Sequence, residues 1–347
     1  MPKVDVMNLK VNGRFSGKKM TGVQRYAIEI TSRLKCNYEV IHPTKNYHGI
    51  KGHMWEQITL PILTKRDWLW SPCNTGPICK TRQIVTIHDV APLEHPEWFN
   101  PYFSSLYNFL LPKLVRRVSK IITPSEYSRT RLLEHFPIPE NRIVVIHNGV
   151  NSKFHPATKT QLHSSRHRLN LPDNYVLALG SLEPRKNLGR LFDAWETIQN
   201  KYPSLFLVVA GCPGNIFNST GFKSVPKQVK LIGYIEDDLL PSIFTGAMFF
   251  VFPSLYEGFG LPPLEAMACG CPVLTSQSTS IPEVCGDAAI YLDPYDTDDI
   301  TEKIDQLAFN ETILENLREK GLHRSKQFSW ETSTRKTLDV INTTINN

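Results

Sequence analysis

The stretch from Ala247 to Ala268 reads AMFFVFPSLYEGFGLPPLEAMA. Its first six residues, Ala247 to Phe252, form a continuous apolar run, the length of a strand buried on both faces. Residues 253–260 then supply Pro, Ser and two Gly, the composition of a loop. Two prolines follow Leu261 and lead into an apolar segment of good helix formers. Pro263 suits the first position of a helix, which puts Glu265 in its first turn. Strand, loop and helix in that order make the repeating unit of a parallel α/β sheet.

The same unit recurs on both sides. Short β-branched runs stand at 84–87, 120–123 and 143–146, and again at 176–179, 205–209, 229–232 and 272–275, with longer amphipathic stretches between them. This alternation predicts an α/β protein of two doubly wound domains. A length of 347 residues agrees with two domains of roughly 150 residues each. His147-Asn148-Gly149-Val150 closes a strand with a turn dipeptide, and the polar stretch 157–170 shows no strand pattern. We therefore expect a first domain over 1–155, a second over 156–329, and a C-terminal helix over 330–347 that returns to the first domain.

Composition removes several classes. Apolar residues at 41% and charged residues at 21% exclude global disorder. The opening MPKVDVMNLK lacks the apolar run of a signal peptide, and no stretch of ~18 apolar residues occurs, so a cytoplasmic location is expected. Seven cysteines with no C-x-x-C pair suggest reduced thiols and neither a disulfide framework nor a zinc site. No G-x-G-x-x-G string follows a strand, which argues against a dinucleotide oxidoreductase. Charge is divided unevenly. Residues 1–155 carry 22 Lys+Arg and 11 Asp+Glu, or +11; residues 156–347 carry 17 and 22, or −5. The basic excess is diffuse and no recognised motif interleaves aromatics with cations on one face, so no nucleic-acid partner is expected.

Open α/β sheets bind ligands beyond the carboxyl ends of their strands. After the run 176–179 comes Gly180-Ser181-Leu182-Glu183-Pro184-Arg185-Lys186-Asn187. Two adjacent cations ahead of a helix start can hold a diphosphate, although a solvated basic turn would look the same. After Phe252, Glu257 and Glu265 stand eight positions apart with Gly258 and Gly260 between them. Glycines there let backbone N–H groups approach a ligand, and a carboxylate accepts well from a vicinal diol. In the first half, His88-Asp89 ends the run 84–87. His88 can donate to a ligand hydroxyl or shuttle a proton, or simply bond a backbone carbonyl. Thr21-Gly22-Val23 opens a helix whose first N–H groups can face a phosphate.

Glu257-Gly-Phe-Gly-Leu-Pro-Pro-Leu-Glu265, preceded by Val251-Phe-Pro-Ser-Leu-Tyr, resembles the E-x7-E signature of the family-4 retaining glycosyltransferases. His88-Asp89, Thr21-Gly22-Val23 and His147-Asn148-Gly149-Val150 stand where that family has its corresponding motifs. The resemblance implies the GT-B fold of two facing Rossmann-like domains, the first binding acceptor and the second a nucleotide sugar. It implies that Glu265 holds the ribose hydroxyls and that Glu257 contacts the transferred sugar. Backbone groups at Gly258, Phe259, Gly260 and Leu261 would meet the donor, and Arg185 and Lys186 would neutralise its diphosphate. Gly22 and Val23 would complete the phosphate cradle, and His88 would bind a sugar hydroxyl. No metal or other cofactor is implied. Many relatives have Arg where this chain has Ser181, which puts one phosphate contact in question.

The Gly180–Leu188 string resembles mannosyl-adding relatives, so GDP-mannose is the first donor to consider; UDP- and dTDP-sugars, a soluble acceptor, and a GT-B protein that binds a nucleotide sugar without transferring it stay open. Through the resemblance, the acceptor is expected to be a polyprenyl-diphosphate-linked saccharide of O-antigen or capsule assembly. The segment from Tyr102 to Ile122, YFSSLYNFLLPKLVRRVSKII, joins an apolar face to four cations. That pattern suits a helix lying on the inner membrane surface, with Pro112 bending or interrupting it.

Overall fold

The computed structural model describes residues 9–16, 21–45, 47, 49–180, 183–211 and 225–346. The chain forms two compact units. The first takes the chain up to Glu94, Pro101–Gly149 and the tail from Ser329; the second takes His95–Asn100 and Val150–Phe328.

The first unit holds a six-stranded parallel sheet. Its order is Tyr38–Ile41, Leu9–Asn12, Trp68–Ser71, Gln83–Thr86, Lys120–Thr123, Ile143–Val145. Helix Pro101–Arg117 buries Leu111, Leu114 and Val115 in a core shared with Val85, Ile121 and Ile143. The helix runs on through Pro112 instead of breaking there. Apolar anchors on both sides of the proline fix both halves on one sheet, which outweighs the single backbone bond that proline removes. The same packing uses the apolar face that the sequence offered to a membrane. Only Tyr102 and Phe109 remain as large exposed hydrophobic groups on it, and Lys113 Nζ lies 3.1 Å from the centre of the Phe109 ring.

The tail helix Trp330–Asn346 packs on helix Gly22–Arg33 in this unit. Trp330 meets Tyr26 edge to face at 6.1 Å, and Glu331 pairs with Arg33 at 3.2 Å. The returning backbone passes directly over Gly149, where a Cβ would lie 2.1 Å from the Trp330 nitrogen. Only glycine admits that approach.

The second unit's sheet is also parallel, in the order Val229–Gly233, Leu205–Ala210, Asn174–Leu179, Phe250–Phe252, Val273–Ser276, Ile290–Leu292. Counted along the chain this is 3-2-1-4-5-6, the order of dinucleotide-binding sheets. Side chains alternate between two cores. Tyr175 and Leu177 join Phe250, Phe252 and Met267 on one face; Val176 and Ala178 join Val251, Trp195 and Ile304 on the other. Both faces of the central strands are covered, so those strands carry no polar alternation. The strand order reverses between Asn174–Leu179 and Phe250–Phe252, and the helices that follow those two neighbours pack on opposite faces of the sheet.

Candidate donor site

The loops that flank this switch point carry the residues singled out in the sequence. Arg185 and Lys186 lie on the tight turn Pro184–Lys186, and Glu257 lies on the loop after Phe252. Adjacent parallel strands end side by side, so residues 71 positions apart meet. Lys186 Nζ donates to Glu257 Oε1 at 2.7 Å, Ser254 Oγ donates to the same oxygen at 2.7 Å, and an Arg185 guanidinium nitrogen lies 3.2 Å from it. Arg185 Nε also donates to Glu183 at 2.8 Å. Ser181 and Leu182, on the same loop, lie outside the described residues.

Burial opposes charge on Glu257, but Lys186 and Arg185, with hydrogen bonds from Lys186 and Ser254, hold its pKa at about 2. Burial, helped by the Arg185 charge, lowers the Lys186 pKa, and Glu257 and Glu183 act against that shift. Dry surroundings strengthen each of these attractions. Backbone bonds then fix the loop. Glu257 N donates to Thr279 Oγ1 at 3.1 Å, and Ser280 Oγ donates to the Glu257 carbonyl at 2.8 Å.

Gly260 has φ 105°, where glycine is favoured, and turns the chain into helix Leu261–Ala268. Glu265 is the fifth residue of that helix and therefore lies in its second turn, not its first. The first-turn N–H groups of a helix have no internal partner, so Pro262 and Pro263 both fit there and the helix begins earlier than one proline suggests. Glu265 is buried. The Phe259 ring is buried against Phe328 at 5.9 Å, which leaves its backbone as the part able to meet a ligand.

The structure thus gathers Arg185, Lys186 and Glu257 in the second unit, with Gly258, Phe259, Gly260, Leu261 and Glu265 following in the same chain segment. Gly22, Val23 and His88 belong to the first unit. Gly22 and Val23 open helix Gly22–Arg33, and Tyr26 of that helix packs edge-on against the His88 ring at 4.7 Å. His88 is buried, and its Nε2 lies 2.9 Å from the Pro72 carbonyl. Nε2 must carry the proton to make that bond, so Nδ1 is the acceptor nitrogen.

Comparison with known proteins assigns the chain. The profile described as Glycosyl transferases group 1 matches residues 159–324, and that described as Glycosyltransferase Family 4 matches residues 68–154. The O-antigen chain mannosyltransferase B of Escherichia coli is 32% identical over 310 residues, spanning 87% of this chain and 78% of that protein. This chain is a family-4 glycosyltransferase. Another relative, the serotype-specific mannosyltransferase WbdA of Escherichia coli, is 30% identical over 271 residues, which cover 74% of this chain and 33% of WbdA. Sucrose-phosphate synthase from Thermosynechococcus elongatus superimposes with a TM-score of 0.76 at 15% identity, covering 98% of this chain and 99% of that one. The glycosyltransferase therefore has the GT-B fold.

Several residues that position the site escaped the sequence reading. Asn187 adopts φ 58°, and its amide donates to the carbonyls of Pro253 at 3.2 Å and Pro294 at 2.6 Å, tying three loops together. An Asn directly ahead of a helix was the available signal, since Asn tolerates the left-handed region. Ser254, three residues before Glu257, gave no signal distinct from an ordinary loop serine. The Tyr256 ring meets His95 edge-on at 5.8 Å, and His95 stacks on Trp98 at 3.8 Å. Nothing in the spacing joins positions 95 and 256. Among the described residues, no group of three or more His, Cys, Asp or Glu could hold a metal ion.

The glycosyltransferase carries a pH signature at His88. Burial pushes its pKa down to about 4, against a backbone bond to Pro72 that acts the other way. Between pH 6.5 and 4 the unfolded chain binds a proton that the folded chain refuses, so this residue lowers stability as pH falls through that window. The difference accumulates to about 3 kcal/mol. Urea unfolding is expected to show a shallower loss of stability in that window for His88→Gln than for the wild type. Parallel curves would contradict the assignment of a buried neutral imidazole.

Proposed function

We propose that this glycosyltransferase moves mannose from GDP-mannose to a polyprenyl-diphosphate-linked oligosaccharide during O-antigen or capsular polysaccharide assembly. The reaction runs on the cytoplasmic side with retention of anomeric configuration. One observation carries the reading: Lys186 and Arg185 converge on Glu257 at the switch point of a dinucleotide-type sheet. The O-antigen mannosyltransferase named above, similar over 87% of this chain, supports the choice of sugar and of pathway.

In this reading Arg185 and Lys186 receive the diphosphate and supply its counter-charge in place of a metal. Transfer leaves negative charge on the departing diphosphate and positive charge on the sugar ring. Cations fixed before the substrate arrives stabilise that charge without reorganising. Glu257 is ionised at neutral pH and can only accept. Its Oε1 takes Lys186, Arg185 and Ser254, so Oε2 is the oxygen offered to a sugar hydroxyl. Glu265 accepts from the ribose diol, and backbone groups from Gly258 to Leu261 meet the sugar. In the first unit, Gly22 and Val23 add N–H groups for phosphate, and His88 Nδ1 accepts from a hydroxyl of the transferred sugar. The departing phosphate oxygen takes the acceptor proton as attack occurs from the same face.

A panel of GDP-, UDP- and dTDP-sugars, assayed for nucleotide release in the presence of a lipid-linked acceptor, tests this. The expected result is release of GDP from GDP-mannose above all others. Release of UDP or dTDP instead overturns the donor. Binding of a donor without release in every arm makes the protein a nucleotide-sugar binder.

A further inference from the structure

The stretch His95–Asn100 belongs to the second unit, although the chain before it, up to Glu94, and after it, from Pro101, belongs to the first. It forms a short strap whose middle is the tight turn Pro96–Trp98. The His95 ring lies on the Trp98 ring, with centres 3.8 Å apart and planes 11° from parallel. Glu97 holds the imidazole in that pose, because His95 Nδ1 donates to Glu97 Oε1 at 3.1 Å. Both rings then pack edge to face with Tyr256, His95 at 5.8 Å and Trp98 at 6.5 Å. Tyr256 itself is buried.

Tyr256 directly precedes Glu257, and its loop is latched to Arg185 in both directions. Leu255 N donates to the Arg185 carbonyl at 2.7 Å, and Arg185 Nη1 donates to the Tyr256 carbonyl at 3.3 Å. The same Nη1 lies 3.2 Å from Glu257 Oε1. On its other side the guanidinium is tied to Glu183, to which Nε donates at 2.8 Å. The Tyr256 carbonyl therefore decides how far the cation leans toward Glu257 and away from Glu183. Edge-to-face ring contacts depend on angle as well as distance, so three rings packed in this way fix the Tyr256 ring. A side chain held in one rotamer holds its own backbone in turn.

We infer that His95 and Trp98 are positioning residues for sugar transfer. The strap holds Tyr256, and through it the Arg185 guanidinium and the Glu257 carboxylate, in the arrangement the diphosphate and the transferred sugar require. The inference rests on the donor-site reading proposed above and adds two residues that this reading does not use. Charges stabilise a transition state best when they are fixed before the substrate arrives, and a small displacement of them costs rate. Without the two rings, the Tyr256 carbonyl shifts and the guanidinium turns toward Glu183. A stretch of chain set between two first-unit segments thus completes a loop of the second.

Steady-state nucleotide release, with the donor that the wild type turns over in the panel above, tests it. Trp98→Ala is expected to lower kcat roughly 10- to 100-fold, the effect of a small displacement at a reacting group. Trp98→Phe keeps a ring against Tyr256 and is expected to recover most of that loss. Coupling to Arg185 is the readout that a merely structural role would not move. Made on top of Arg185→Ala, Trp98→Ala is expected to cost about threefold or less, because the group it positions is already gone. Equal losses in both backgrounds reduce the strap to a brace of the fold and overturn the inference, as does wild-type kcat in Trp98→Ala. His95→Ala removes the stack and keeps the indole, and it carries the same cycle if thermal melts show that Trp98→Ala does not fold. Full turnover by Arg185→Ala overturns the donor-site reading and this inference with it. An impaired Arg185→Ala beside an unimpaired Trp98→Ala overturns this inference alone.

Discussion

Glu257→Gln is expected to lower sugar transfer by about 100-fold or more while the protein remains folded. Losing one preorganised electrostatic partner of the transition state typically has that effect. Gln keeps the volume and one acceptor for Lys186 and Ser254, but it removes the charge that fixes Lys186 and Arg185. Glu257→Ala is a harsher test. It leaves the buried Lys186 without its nearest carboxylate, and breaking a buried pair from one side costs about 3–5 kcal/mol. The alanine variant is therefore expected to lose both turnover and thermal stability, the glutamine variant chiefly turnover. Steady-state kinetics beside thermal melts separates the two effects. Normal turnover by Glu257→Gln would remove Glu257 from the site.

Lys186→Met is the second large effect. Methionine keeps most of the length and discards the ammonium. If Lys186 neutralises the leaving diphosphate, kcat falls about 100- to 1,000-fold. The variant also carries a stability signature. Burial opposes the Glu257 charge, while Lys186 and Arg185 hold its pKa at about 2. Its ionised form stabilises the fold fully above the unfolded carboxylate value and loses that contribution as pH falls toward 2. Without Lys186 the folded-state pKa rises, so the acid loss of stability begins at higher pH. Thermal midpoints measured across acidic pH are expected to show that displacement. Coincident wild-type and variant curves would contradict the pairing.

The second unit was more legible in the sequence than the first. Its strands Asn174–Leu179 and Leu205–Ala210 are buried on both faces and read, from Tyr175 and from Leu205, as unbroken apolar runs. The strands Leu9–Asn12, Tyr38–Ile41, Trp68–Ser71 and Ile290–Leu292 escaped the same reading. Each is three or four residues long; YEVI mixes polar with apolar residues at a sheet edge, and LKVN, an interior strand, ends in Asn12, whose amide donates to the buried Glu56. The run at 247–252 overstated its strand, Phe250–Phe252, because Ala247 closes the preceding helix with a bond to the Phe244 carbonyl.

At the site, residue type and spacing pointed to Glu257, Arg185 and Lys186, because strand ends concentrate such groups. What they could not convey is that the cations and the carboxylate pair with each other. That contact spans 71 positions and depends on the strand order. The apolar face of helix Pro101–Arg117, suggestive of a membrane in isolation, is the underside of a core helix.

A crystal structure of the protein with GDP-mannose tests the central claim most directly. The account predicts diphosphate oxygens within hydrogen-bonding distance of Arg185 and Lys186, ribose hydroxyls on Glu265, and a mannose hydroxyl on Glu257 Oε2. A nucleotide sugar bound away from the loops after Leu179 and Phe252, with the Lys186–Glu257 pair untouched, would contradict it.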